Sequence, residues 1–187
     1  MFRDLLPPFW HGAIGTTLLA LGTAAAIAAV AQVAIPTTPV PTTLQTAVLF
    51  FAAAALGPTV GGLAAACYLL AAALGLPVLA DGAHFAATGL WQAKTAGYVL
   101  AFVPAAILLG RCTQRRPHLG GAPLFAAVLV AHVAVLVVGW AWLGRQIGWA
   151  AAWQHGVTPF WLGAAAKSAL VAGLLAGLRR LRHRPAR

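Results

Sequence analysis

Long apolar stretches recur from one end of the chain to the other, and the short segments between them hold most of the charge. A membrane-spanning helix needs about 20 predominantly apolar residues. On that criterion spans fall at Ala13 to Ala34, Leu44 to Leu56, Thr59 to Leu74, Lys94 to Gly110, Pro123 to Leu143 and Phe160 to Leu178. The pattern predicts an all-α membrane protein, a bundle of six transmembrane helices making one integral membrane domain over residues 1–187. The second and third runs are short and nearly touch through Gly57 and Pro58, so they form either a tight helical hairpin or one broken element. The first run, Ala13 to Val33, is too long for the apolar part of a signal peptide and has no convincing processing site, so it reads as the first span.

Composition sharpens this picture. Hydrophobic residues make up 61% of the chain and charged residues 7%, against roughly 25% charged in an ordinary soluble domain. The formal net charge of +10 would suggest nucleic acid in a soluble protein, but its distribution excludes that partner. Arg111, Arg115 and Arg116 lie between two apolar runs, and Arg179, Arg180, Arg182, Arg184 and Arg187 follow the last one, as topology anchors do. With Arg3 in the cytoplasm, nine of the twelve basic residues lie inside and only Arg145 lies outside. The positive-inside rule then puts both termini in the cytoplasm of a multi-pass protein of the cell inner membrane, in contact with lipid.

On that topology Trp91, Trp140, Trp142, Trp149, Trp153 and Trp161 gather near the outer face. They read as an interfacial aromatic belt, with Trp91 or Trp161 alternatively covering a ligand. Cys67 and Cys112 have neither the number nor the spacing of a disulfide framework or a metal site, and no metal or cofactor is expected.

A polar group in hydrocarbon is expensive, so those within spans locate function. The outer half holds Gln32, Thr42, Thr43, Gln45, Lys94, Thr95, Tyr98 and Lys167, with Asp81 and His84 in the loop between spans three and four. Lys167, roughly 10 Å below the outer end of the last span, suits a cavity floor; its alternative is a lysine snorkelling to the interface. Lys94 at the mouth of span four is either an interfacial anchor or a ligand contact. Asp81 either receives a ligand N–H or pairs with a lysine. His132 reads as a neutral core histidine bonded to a neighbouring helix. Pro36, Pro39 and Pro41 stiffen the segment from Ile35 to Gln45, which predicts a preorganised outer wall where Thr42, Thr43 and Gln45 offer hydrogen bonds. In span one, Ala20, Ala24 and Ala28 form a small-residue stripe for close helix packing, either within the bundle or against another protein.

Several of these segments together resemble a known family: Pro39-Val-Pro41, then Thr43-Leu-Gln45-Thr46, Leu56-Gly-Pro58, Tyr68, Gly75-Leu-Pro77-Val78, Gly97-Tyr98 before Phe102, and Pro159-Phe160, Gly163 and Lys167 in the last helix. The chain resembles BioY, the biotin-capturing substrate component of energy-coupling-factor (ECF) importers. The resemblance implies a six-helix membrane bundle with an outward-facing site, and carries Gln45, Tyr98 and Lys167 into that site. It also implies that the small-residue face of span one meets a membrane coupling protein attached to ATPase subunits. No ATPase is encoded here, since Lys167-Ser168 follows Ala166 and no P-loop occurs.

The chain departs from the family pattern in three places. Ala164 stands where an acidic residue is usual, the loop after the third helix reads Ala80-Asp81-Gly82-Ala83-His84-Phe85, and the usual Gly-Pro-Thr-Gly-Gly-Tyr run is Ala93-Lys94-Thr95-Ala96-Gly97-Tyr98. The expected function is capture of biotin for uptake by Thr43, Gln45, Asp81, Lys94, Tyr98 and Lys167. The alternatives are another vitamin-like cargo or an intramembrane enzyme, the last disfavoured because the spans hold no acid and no evident Ser–His pairing.

Overall fold

The computed structural model describes residues 6–35 and 39–182, with side chains to Arg180. Arg3, Pro36, Arg184, Arg187 and the side chain of Arg182 lie outside the described residues.

A short 3-10 turn, Pro8–His11, leads into α1 (Ala13–Ala31). Two-residue strands β1 (Ala34–Ile35) and β2 (Thr42–Thr43) then pair antiparallel, Ala34 opposite Thr43 and Ile35 opposite Thr42. Helices α2 (Gln45–Leu56), α3 (Pro58–Ala73), α4 (Ala96–Arg115), α5 (Gly121–Ile147), α6 (Trp149–Gly156) and α7 (Trp161–Arg182) follow. Six of these seven helices are the predicted spans. Among the described residues four helices are long and apolar enough to cross a membrane, namely α1, α4, α5 and α7. At 12 and 16 residues, α2 and α3 are shorter, about 18 and 24 Å long.

The join between α2 and α3 is the tight hairpin. Gly57 has φ of 101°, a conformation that favours glycine, and Pro58 begins α3, where a missing N–H costs nothing. Gly61 of α3 lies against Ala53 of α2, as two antiparallel helices meeting at Gly57 require.

The bundle buries a continuous core running through Ile27, Leu49, Phe50, Tyr68, Phe102, Leu124, Val128, Leu143 and Leu175. Helix α4 sits centrally, packed against α2, α3 and α5, while α7 closes against α2 and α5. In this arrangement the starts of α2, α4 and α7 and the ends of α3 and α5 share one end of the bundle, and the site is built there.

Two expectations are corrected and one open alternative is decided. The chain adds α6, because Gly148 (φ 89°) breaks the helix after Ile147 and lets eight further residues fold back. Helix α4 begins at Ala96, leaving Lys94 in the preceding loop. Of the two alternatives for the Ala20, Ala24, Ala28 stripe, packing within the bundle is the one seen: Ala20 is buried, and Ala24 and Ala28 are half-buried against the core. The face of α1 that stays exposed carries Leu18, Gly22, Ala25, Ala26 and Ala29.

Candidate functional site

At the shared end lies a cavity of about 370 Å³, within the roughly 300 to 1,000 Å³ usual for small-molecule sites. The proline segment (Pro39, Val40, Pro41) forms one wall, the loop from Leu79 to Ala83 another, and α2, α4, α5 and α7 complete it. Val99, Phe102, Val135, Leu136 and Phe160 supply apolar surface. Of the residues expected at a site, Thr43, Gln45, Asp81, Tyr98 and Lys167 line this cavity together.

Lys167 is six residues into α7, about 9 Å along its axis. Its Nζ donates to the backbone oxygen of Thr43 at 3.2 Å, so the ammonium reaches up from α7 to the start of α2. An ammonium has three donors, and one is used by that bond. Among the described residues no carboxylate pairs with it.

Gln45 is oriented by a chain of bonds. Tyr68 donates its hydroxyl proton to the Val78 carbonyl at 2.9 Å, so the same oxygen accepts from Gln45 Nε2 at 2.7 Å. That fixes the amide nitrogen toward Tyr68 and leaves Gln45 Oε1 as an acceptor at the cavity.

Asp81 stands exposed on a short turn, Ala80–Gly82, with φ of 55°, a conformation that aspartate tolerates better than most residues. The turn is clamped from α1: Gln32 Nε2 donates to the Leu79 oxygen at 3.1 Å, and Gly82 N donates to Gln32 Oε1 at 3.2 Å. Gln32 is therefore a positioning residue for the loop that carries Asp81.

Tyr98 contributes its ring. Its hydroxyl donates to the Gly156 oxygen at 2.8 Å, tying α4 to the end of α6, and its ring lies so close to Gly139 that any Cβ there would collide. Lys94 is exposed and does not line the cavity; its neighbour Thr95 does. Trp91 and Trp161 are also exposed and outside the lining; Trp91 stacks on Trp142 at 5.6 Å, and Trp140 packs against Trp149 and Trp153.

The expected set omitted Thr46 and His132, which line the cavity as buried polar groups. A polar residue within an apolar run is the signal for both, and His132 does bond neighbouring helices, reaching Thr46 on α2 and Ser168 on α7. Among the described residues no cluster of three His, Cys, Asp or Glu side chains could hold a metal ion.

Residues 9–184 match the profile of the BioY family. Curated relatives include "Biotin transporter BioY2" of Lactococcus lactis subsp. cremoris, 35% identical over 146 residues, covering 77% of this chain and 78% of the relative. Another is "Probable biotin transporter BioY" of Pyrococcus horikoshii, 34% identical over 131 residues, covering 70% of this chain and 75% of the relative. Among solved structures, the S-component for biotin from an ECF-type ABC transporter superposes with a TM-score of 0.74 at 24% identity, over 89% of this chain and 92% of that one. That likeness is one of fold.

Proposed function

This chain belongs to the BioY family, and on that premise we propose that it captures biotin in the cavity between α2, α4, α5 and α7 as the membrane-embedded substrate subunit of an ECF-type importer. The observation that carries the reading is that the Gln45 amide and the Lys167 ammonium line one cavity together with apolar side chains of α4 and α5. Gln45 Oε1 stands on α2 as an acceptor, and the Lys167 ammonium is bonded to the Thr43 oxygen, two residues before Gln45, at the same wall. Biotin offers partners for these groups: a ureido head with two N–H donors and a carbonyl, an apolar ring pair and chain, and a carboxylate. The ureido N–H groups face the Gln45 acceptor on α2, the rings lie on Phe102, Val135 and Leu136, and Lys167 donates to an oxygen of the ligand. Asp81 lines the same cavity as Ala164, where family members usually carry an acid, and supplies the missing carboxylate from another element.

The protein binds and releases without covalent chemistry. Both termini lie in the cytoplasm, which opens the cavity to the outside of the inner membrane and matches the placement of Arg111, Arg115, Arg116, Arg179 and Arg180 at the opposite end. The coupling partner meets the exposed small-residue face of α1, through Gly22, Ala25, Ala26 and Ala29, because Ala20, Ala24 and Ala28 are turned inward. ATPase subunits act through that partner.

Uptake of labelled biotin by cells lacking their own importer tests the proposal. Expression of this chain with a coupling module gives saturable uptake that unlabelled biotin suppresses. No uptake of biotin, with uptake of a different vitamin, moves the cargo to that vitamin.

A further inference from the structure

Beneath Gln45 lies a group of three buried polar side chains from three helices: Thr46 of α2, His132 of α5 and Ser168 of α7, exposed by 9%, 3% and 0%. Ser168 Oγ donates to the Ala164 oxygen at 2.7 Å, so its proton is already committed. His132 Nδ1 lies 3.1 Å from the Val128 oxygen and 3.0 Å from Ser168 Oγ. A carbonyl only accepts, so Nδ1 carries the proton and donates to this pair. In the neutral ring Nε2 is then the acceptor, and Thr46 Oγ1, 3.1 Å away, donates to it. With its proton turned toward His132, the Thr46 hydroxyl has only lone pairs left for the cavity it lines.

We infer that Ser168 and His132 form a directional relay that sets Thr46 Oγ1 as a second acceptor beside Gln45 Oε1, so that the cavity recognises a ligand with two adjacent N–H donors. The inference rests on the reading of biotin as cargo and assigns the ureido head to this pair. Thr46 touches the ligand; His132 and Ser168 are positioning residues that act through it. A hydroxyl free to rotate would serve a donor or an acceptor equally. One locked by His132 discriminates, because a ligand presenting a carbonyl there would face lone pairs with lone pairs.

The test compares two probes, biotin and a biotin derivative methylated on a ureido nitrogen, titrated against the purified protein and its variants. Thr46→Val keeps the shape and removes the hydroxyl; it is expected to weaken biotin binding about tenfold, the scale of one lost hydrogen bond in a buried site. Thr46→Ser keeps the hydroxyl and stays close to the parent. Both bind the methylated derivative as the parent does, since that ligand no longer offers the donor. Should Thr46→Val not fold, His132→Phe serves, because a phenyl ring retains the edge contact with Phe50 at 4.7 Å while removing the acceptor; it is expected to narrow the preference for biotin over the derivative several-fold. A parent that binds biotin while Thr46→Val matches it on both probes, or loses both equally, overturns the relay alone. A parent that binds no biotin overturns the cargo reading and the relay with it.

Discussion

The ammonium of Lys167 donates to the backbone oxygen of Thr43 at 3.2 Å, joining the first third of α7 to the strand that precedes α2. This bond gives a partner to a charge set within a membrane-spanning helix, where an unpartnered lysine is costly to insert.

Removing that charge separates a site residue from a topology anchor. Lys167→Ala is expected to fold, since no buried carboxylate is left unpaired, and to lose biotin about ten- to a hundred-fold, the range of a charge-assisted hydrogen bond of roughly 1.5 to 3 kcal/mol. Arg180→Ala, exposed at the far end of α7, is expected to bind as the parent does. Equilibrium dialysis with labelled biotin reads both. Equal affinity for Lys167→Ala and the parent removes the lysine from the site.

Tyr98 is expected to act mainly on stability. Its hydroxyl is taken by the Gly156 oxygen at 2.8 Å in a buried contact, so Tyr98→Phe leaves that carbonyl without its partner. The cost is about 1 to 3 kcal/mol, visible as a lower unfolding midpoint in detergent, while biotin affinity shifts little. A large affinity loss at unchanged stability would instead put the hydroxyl on the ligand.

The outward face of α1 gives a third expectation. Ala26→Leu adds bulk on the exposed side, where no packed neighbour is disturbed. Biotin binding by the isolated subunit is expected to be unchanged, while uptake with the coupling module falls strongly. Ala20→Leu, buried in the bundle, is expected to destabilise the protein itself by overpacking, by about 1 to 3 kcal/mol. The opposite assignment of effects would return the partner to the inward stripe.

Topology is read by reporter fusions. Those placed after Arg116 and after Arg187 are expected to report cytoplasm, and one near Trp149 the outside. Opposite locations for the two Arg-rich ends would require an odd number of crossings.

The four long helices and the shorter α2 and α3 were legible because each is an apolar run bounded by Pro, Gly or Arg. Helix α6 was not, because its eight residues merge by composition with the tryptophan-rich ends on either side, and only the Gly148 backbone separates them. The stripe Ala20, Ala24 and Ala28 was legible but its partner was left open, because with alanine on every face composition does not mark the inside. That Gln45, Thr43 and Lys167 line the cavity was foreseeable because proline stiffening, a charge within a span and the family motifs are local signals. Lys94 was misplaced since an apolar run does not reveal where the helix begins. Thr46 was missed, and Gln32 was named only as an outer polar group, because the role of each depends on a partner distant in sequence, His132 for one and the Leu79–Gly82 turn for the other.

The central claim, that this cavity binds biotin, is tested most directly by isothermal titration of the detergent-purified protein with biotin and with a panel of other vitamins. The expected result is a saturable heat for biotin at one site per chain, with no comparable heat from vitamins lacking a ureido ring and a carboxylate. Saturable binding of a different vitamin, with none of biotin, would contradict the account.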